Sequence, residues 1–175
     1  MQTILFLGGP SGVGKSHFAS KFLASKKWLH FEIDQWQKDG IDECNLRHEL
    51  NDFATKLKPD LLKRELLRRA ASRQNIVLTF PSAAIFSPQH RAAAKGHFRI
   101  AYLFGHPRFC LQAFLAREEM NGRGLTANYW NSNNVRTFAL LSLSHNHNLV
   151  IEAFKQDGSR RKSADILADI LQKTD

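Results

Sequence analysis

A glycine-rich segment near the N-terminus carries the clearest chemistry in this sequence. The segment Gly9-Pro10-Ser11-Gly12-Val13-Gly14-Lys15-Ser16 matches the pattern G-x-x-x-x-G-K-[ST] at every fixed position. Glycines let such a loop turn its backbone N–H groups toward phosphate oxygens, and the following helix adds the positive end of its dipole. We therefore expect these eight residues to bind ATP, with Lys15 on the β- and γ-phosphates and the Ser16 hydroxyl on Mg²⁺.

A second group that could do chemistry is the acidic pair Glu32 and Asp34, which ends an apolar segment. A hydroxyl that accepts a phosphoryl group must lose its proton, and a carboxylate across a cleft from Lys15 can accept that proton. The pair is therefore suited to a kinase, with a carboxylate that acts on the acceptor. A polar strand end or a helix cap is the alternative role for Asp34.

Short apolar runs alternate with amphipathic segments along the whole chain, which predicts strands alternating with helices. The predicted strands are residues 3–7, 28–33, 75–80, 98–104 and 148–154. The predicted helices are residues 15–26, 46–56 and 60–73, a segment opened by Pro107, a segment near 134–143 and a last segment from Ser163. The last of these is expected to face the core with Ile166, Leu167, Ile170 and Leu171. This order predicts one α/β domain over residues 1–175, with a five-stranded parallel sheet between two helical layers.

The predicted sheet places the candidate residues together. In such sheets, ligands bind beyond the carboxyl ends of the strands. One crevice should therefore collect the residues that follow Leu7, Ile33, Phe80, Phe104 and Phe154. The glycine-rich loop and the acidic pair both belong to this edge.

These residues resemble small-metabolite kinases with the P-loop NTPase fold, of the shikimate kinase, gluconate kinase and chloramphenicol phosphotransferase type. Shikimate kinases end the second strand in Asp-x-Asp-Gln, where this chain has Glu32-Ile33-Asp34-Gln35. The resemblance implies that Glu32 lies near the magnesium ion and that Asp34 meets the acceptor hydroxyl. It also implies a lid around residues 117–130, in which Arg117 and Arg123 stabilise charge on the transferring phosphoryl group.

The resemblance does not extend to the acceptor. Shikimate kinases have a glycine triplet after the third strand, where this chain has Phe80-Pro81-Ser82. Trp36, Phe80 and the pair Tyr129-Trp130 favour a less acidic acceptor, and each is equally explained as a core residue. The sequence thus indicates a small-molecule acceptor without naming it.

Composition and charge limit the partners. The 175 residues are 43% hydrophobic and 23% charged, which is typical of a globular protein, and the net charge of +9 favours anionic partners. The sequence shows no signal peptide and no apolar run long enough for a membrane helix. Cys44 and Cys110 fit neither a disulfide pattern nor a zinc site, so a cytoplasmic location without membrane attachment is expected.

Two other functions stay open. A nucleic-acid end kinase would explain the net charge and the basic helix at residues 63–73. A nucleotide-binding regulator or slow ATPase would explain why the third strand ends without the acid typical of motor ATPases. A GTPase is disfavoured because no Asn-Lys-x-Asp element occurs, and His145 and His147 lack a third ligand for a metal.

Overall fold

A computed structural model describes residues 2–32, 43–72, 74–79, 87–142 and 149–173, without the side chains of residues 43–48 and 140. Asp34, Trp36, Phe80, His145 and His147 therefore lie outside the described residues. The strands are β1 (Ile4–Gly8), β2 (Leu29–Glu32), β3 (Ile76–Thr79), β4 (Arg99–Phe104) and β5 (Val150–Glu152). The helices are α1 (Lys15–His17), which continues as a π-helical stretch (Phe18–Leu23), α2 (Glu43–Lys56), α3 (Pro59–Arg69), α4 (Pro88–Ala94), α5 (Pro107–Met120), α6 (Ala127–Leu141) and α7 (Ser163–Lys173).

The described strands form one parallel sheet in the order β2-β3-β1-β4-β5. The predicted five-stranded parallel sheet is therefore confirmed. Glu32 of β2 and Leu7 of β1 both pair with Thr79 of β3, so the carboxyl ends of these strands lie in one row. This register brings the ends of β2 and β3 beside the loop that leaves β1.

Alternating strand residues bury against two separate helical layers, as the period of two requires. On one face, Ile4 and Phe6 of β1 pack with Phe53 of α2 and with Leu62 and Leu66 of α3. The opposite face packs against the helical segment after the loop and against α5, α6 and α7, through the buried residues Leu5, Leu7, Val77, Leu103, Phe18, Phe114, Trp130, Ile166 and Ile170. The three-layer α/β/α prediction is confirmed.

Side-chain caps account for two differences from the predicted helices. No helix was predicted at α4, yet Ser87 caps it by accepting a hydrogen bond from His90 N at 3.3 Å, and Pro88 occupies the first turn. The helix predicted near residues 134–143 begins instead at Ala127, after Thr126. The Thr126 hydroxyl accepts a hydrogen bond from Tyr129 N at 3.4 Å, which stabilises the earlier start.

The C-terminal region corrects two further predictions. The last strand ends at Glu152, and Phe154 forms an isolated antiparallel bridge with Arg160. Leu171, predicted to face the core from the last helix, is 37% exposed, whereas Ile166 and Ile170 are buried. None of the helices within the described ranges has both the length and the apolar character to cross a membrane.

The edge strand β5 is capped by basic side chains of the C-terminal region. Lys173 Nζ donates to Val150 O, and Arg161 Nη1 donates to Glu152 O, each at 2.9 Å. Arg161 also forms an ion pair with Asp169 at 2.9 Å. Such capping keeps edge carbonyls from pairing with another chain, so part of the basic charge serves the fold.

Candidate functional site

A cavity of about 490 Å³ lies at the carboxyl edge of the sheet. It is lined by Ser11, Gly12, Gly14, Lys15, Ser16, His17, Glu32, Thr79, Ala113, Arg117 and Arg160. Five of the eight loop residues and the ends of β2 and β3 thus meet in one place, as the sequence predicts. Gly9, Pro10 and Val13 belong to the same loop but do not line the cavity.

Two glycines show why the glycine-rich loop (residues 9–16) needs this residue type for its shape. Gly12 has a φ of +85°, and a Cβ there would lie 2.0 Å from the Cys110 carbonyl oxygen of α5. Gly9 has a φ of +137°, and its Cβ would lie 2.3 Å from the Leu103 carbonyl oxygen of β4. Both values are far below contact distance, so a side chain at either position would displace the loop from its neighbours.

Lys15 is the buried cation at the base of this loop, with 8% of its surface exposed. Its Nζ donates hydrogen bonds to Gly9 O at 2.8 Å and to Pro10 O at 3.0 Å. These bonds place the ammonium group inside the curve of the loop. A positive charge at this position is suited to phosphate oxygens that enter the cavity.

Ser16 and Glu32 form the oxygen-rich side of the cavity. The Ser16 hydroxyl donates a hydrogen bond to Glu32 Oε1, joining the start of α1 to the end of β2. Both residues line the cavity. A hydroxyl and a carboxylate side by side are the ligand types that Mg²⁺ prefers, so the donor set fits that ion.

Thr79 and His30 form a polar pair beside Glu32 that the sequence analysis missed. Thr79 is 2% exposed, lines the cavity, and lies 2.9 Å from His30 through its hydroxyl oxygen and the ring Nε2. Burial lowers the pKa of His30, which favours the neutral ring, although nearby Glu32 acts in the opposite direction. Alternation along β2 is the signal that could have found this pair, since His30 and Glu32 share one face of the strand.

Arg117 and Arg123 are held together by a buried carboxylate. Glu118 has 2% of its side chain exposed, and its Oε1 accepts from Arg117 Nε at 2.8 Å. Arg123 Nε lies 2.8 Å from Glu118 Oε2, and Arg123 Nη2 lies 3.0 Å from Oε1. The three side chains form what we call the arginine–glutamate cluster. Of the two arginines, Arg117 lines the cavity and Arg123 does not.

Arg160 is a cavity residue that was not among the candidates predicted from the sequence. It follows the turn after β5, and its guanidinium donates to Val13 O at 3.0 Å and to Gly12 O at 3.3 Å. The same group lies 4.8 Å from the centre of the Phe154 ring. Burial lowers the pKa of Arg160, but an arginine stays charged near neutral pH. Only the tertiary fold brings this residue to the loop.

The aromatic pair Tyr129-Trp130 is divided between the surface and the core. Trp130 is 4% exposed and belongs to the core beneath the loop, whereas Tyr129 is 48% exposed.

The buried Cys110 is not a reactive thiol, because burial raises its pKa to about 12. In the part of the chain that the structure describes, no group of three His, Cys, Asp or Glu side chains could hold a metal ion.

Comparisons with known proteins identify the fold. No protein-family model matches the sequence, and no curated protein matches it significantly. Shikimate kinase from Acinetobacter baumannii, solved with shikimate, has a similar structure, with a TM-score of 0.51, 17% identity and coverage of 98% of this chain and 92% of that one. Two further structures overlap less closely. Shikimate kinase from Bacteroides thetaiotaomicron has a TM-score of 0.49 and 12% identity, with coverage of 97% of this chain and 95% of that one. Gluconokinase from Sinorhizobium meliloti 1021 has a TM-score of 0.48 and 14% identity, with coverage of 99% of this chain and 91% of that one. The chain has the three-layer P-loop NTPase fold, which it shares with shikimate kinase.

Proposed function

We propose that this chain is an ATP-dependent phosphotransferase that moves the γ-phosphoryl group to a hydroxyl of a small molecule. The observation that carries the proposal is the cavity at the carboxyl edge. There Lys15 stands inside the glycine-rich loop, opposite the hydrogen-bonded pair Ser16 and Glu32. The shared fold supports it, since the similar structure from Acinetobacter baumannii is a shikimate kinase.

The charges of the cavity suit a polyphosphate. Lys15, Arg117 and Arg160 line it, and they face one carboxylate, Glu32, among the described lining residues. Arginine forks and an ammonium group placed before binding can stabilise charge on phosphate oxygens without reorganisation. We assign Lys15 to the β- and γ-phosphates and Arg117 to the transferring group.

Transfer needs a base as well as cations. In the proposed reaction, the acceptor oxygen forms a bond to the γ-phosphorus, the bond to the ADP oxygen breaks, and the acceptor proton passes to Asp34. Asp34 lies outside the described residues, so this role stays a prediction. An Asp34→Asn protein that folds and transfers phosphate at the normal rate would contradict it.

Ser16 and Glu32 are the residues that would hold Mg²⁺. Their oxygens are hydrogen-bonded to each other at the edge of the cavity. A bound magnesium ion would neutralise charge on the phosphate oxygens. Glu32 could act either as a ligand or through bound water, as the resemblance to shikimate kinases implies.

The nucleic-acid alternative has less support in the described structure. Two arginines of the basic helix α3, Arg68 and Arg69, pair with Glu65 at 2.9 and 2.8 Å. Glu65 thus cancels part of the charge that made this helix a candidate for binding phosphates. Oligonucleotide ends nevertheless belong among the acceptors to be tested.

The test is a measurement of ADP release with sugars, nucleosides, amino alcohols, antibiotics and oligonucleotide ends as acceptors. We expect release that depends on one acceptor class and on Mg²⁺. Lys15→Ala should lower the rate by about 10³-fold because it removes a charge from the phosphates. Lys21→Ala is the matched control, since Lys21 is an exposed lysine in the same helical segment.

Two results would contradict the proposal. One is the absence of any thermal stabilisation of the protein by MgATP, which a ligand that binds the native state must produce. The other is ADP release matched by free phosphate and unaffected by every acceptor. That second result would favour the slow ATPase.

A further inference from the structure

Two side chains of α6 hold the backbone of the glycine-rich loop at a single residue, Ser11. Ser11 N donates a hydrogen bond to Asn134 Oδ1 at 2.8 Å, and Trp130 Nε1 donates to Ser11 O at 2.9 Å. Asn134 Nδ2 in turn donates to Trp130 O at 2.7 Å. The three bonds connect one loop residue to one turn of α6 in a closed ring.

The two α6 side chains of this ring are buried, which makes their hydrogen bonds costly to lose. Asn134 is 1% exposed and Trp130 is 4% exposed, and the Trp130 ring lies 5.6 Å from the Phe138 ring, centre to centre. A buried N–H group that loses its acceptor has no water to replace it. Asn134 and Trp130 thus hold the two peptide groups of Ser11 through one hydrogen bond each.

The same turn of α6 also contacts the helix that carries Arg117. The Tyr129 ring stacks on the Phe114 ring of α5, with centres 6.4 Å apart and planes at 16°. The Arg117 guanidinium lies 5.4 Å from the centre of that Phe114 ring. Residues 129–134 thus contact the loop that encloses Lys15, and they also contact Phe114, the ring that lies beside Arg117.

We propose that Asn134 and Trp130 are positioning residues that set the nucleotide affinity of the glycine-rich loop through the Ser11 peptide. The proposal rests on the proposed function, since it requires that the loop binds phosphates. Backbone N–H groups can bind phosphate only if the peptides of the loop are fixed in orientation. Asn134 is absent from the cavity lining and acts through Ser11, which does line the cavity.

Asn133 provides a matched control on the same helix. Its Nδ2 donates to Tyr129 O at 2.8 Å, which is the same type of bond that Asn134 makes to Trp130 O. Asn133 is exposed, and no described hydrogen bond joins it to the loop. Asn133→Ala and Asn134→Ala therefore remove the same type of helix contact, and they differ in burial and in the bond to Ser11.

The test is the dissociation constant of MgATP for the wild type and both variants, at a temperature where all are folded. We expect about tenfold weaker binding for Asn134→Ala and less than twofold for Asn133→Ala. In turnover assays, the loss should appear in the KM for ATP rather than in the KM for the acceptor. Equal binding by the wild type and Asn134→Ala would overturn the inference but leave the proposed function standing. A wild type that binds no nucleotide would remove both.

A second measurement covers the case in which Asn134→Ala does not fold. Trp130→Phe keeps most of the buried ring and removes the indole N–H, so we expect about fivefold weaker MgATP binding. The same variant assigns a spectroscopic signal in protein labelled with 5-fluorotryptophan. The ¹⁹F resonance that is present in the wild type and absent from Trp130→Phe belongs to Trp130. We expect MgADP to shift it while the resonance of buried Trp28 stays in place. An unshifted Trp130 resonance together with unchanged affinity would mean that the contact is only structural.

Discussion

The glycine-rich loop and the arginine–glutamate cluster meet at the same cavity but are held in different ways. The loop is fixed through its backbone, which receives hydrogen bonds from Arg160 and Trp130 and donates one to Asn134. The cluster consists of side chains at the end of α5, with about half of each arginine side chain exposed (51% and 50%). A fixed loop is suited to holding a ligand, and half-exposed arginines are suited to exchanging one anion for another.

A similar cluster of one glutamate and two arginines occurs away from the cavity. Glu65 of α3 also pairs with two arginines, Arg68 and Arg69, on the opposite face of the sheet. There the acid and both bases are within one helical turn of each other. Under the proposed function, Arg117 differs from Arg68 and Arg69 in its location at the cavity and not in its pairing with a carboxylate.

Substitution of Gly12 should have the largest effect, because it tests the fixed loop. Gly12→Ala places a Cβ at 2.0 Å from Cys110 O at a φ of +85°. We expect the free energy of unfolding to fall by about 3 kcal/mol or more and nucleotide binding to be lost. Gly122→Ala is the control, with a φ of +63° and no atom within 4 Å of the added Cβ, and should cost about 1 kcal/mol. Denaturant unfolding measures both, and equal losses would contradict the close packing of the loop on α5.

The two arginines of the arginine–glutamate cluster distinguish the effect of lining the cavity from the effect of pairing with Glu118. Arg117→Ala should lower the rate of transfer by about 10²-fold, because Arg117 lines the cavity. Arg123→Ala should lower it by less than tenfold, although Arg123 pairs with the same carboxylate. Initial rates at saturating ATP, compared with the unfolding free energies of both variants, check this. Equal rates for the two variants would remove the distinction between them.

Glu118 should matter for stability more than its exposed neighbour. Glu118→Gln keeps the shape of the side chain but removes the charge that both arginines contact. We expect a loss of about 1 to 3 kcal/mol in the free energy of unfolding, since the site is buried. Glu119→Gln, at an exposed position one residue later, should change it by less than about 0.5 kcal/mol. Urea titrations of both variants would show whether the cluster is held by this carboxylate.

The Glu65 pair should give the smallest effect, and one that depends on pH. Hydrogen bonds from Arg68, followed by those from Arg69, lower the pKa of Glu65 to about 2 from 4.5. A lowered folded-state pKa contributes stability that is complete above pH 4.5 and is lost as the pH falls toward 2. Glu65→Gln should therefore cost about 0.5 to 1 kcal/mol at pH 7 and nothing near pH 2. A cost that is the same at both pH values would contradict the assigned cause.

The sequence predicted the sheet and the loop well because both depend on local patterns. Apolar runs at strand spacing located β1 to β5 within a few residues, and the glycine-rich motif located the cavity. The helix α4 was missed because seven residues rich in alanine show no apolar period, although Ser87-Pro88 is a capping signal. The start of α6 was missed because Thr126 and Ala127 lie in the segment that was assigned to a lid, residues 117–130.

What the sequence determined by itself was the loop, the order of strands and helices, and the presence of Lys15, Ser16 and Glu32 at one edge. These follow from residues adjacent in the chain and from the rule that parallel strands end together. Only the tertiary structure decided which distant side chains complete the cavity. Arg160 and Asn134 reach the loop from 147 and 123 residues away, and no local pattern encodes such contacts because they depend on how the helices pack on the sheet.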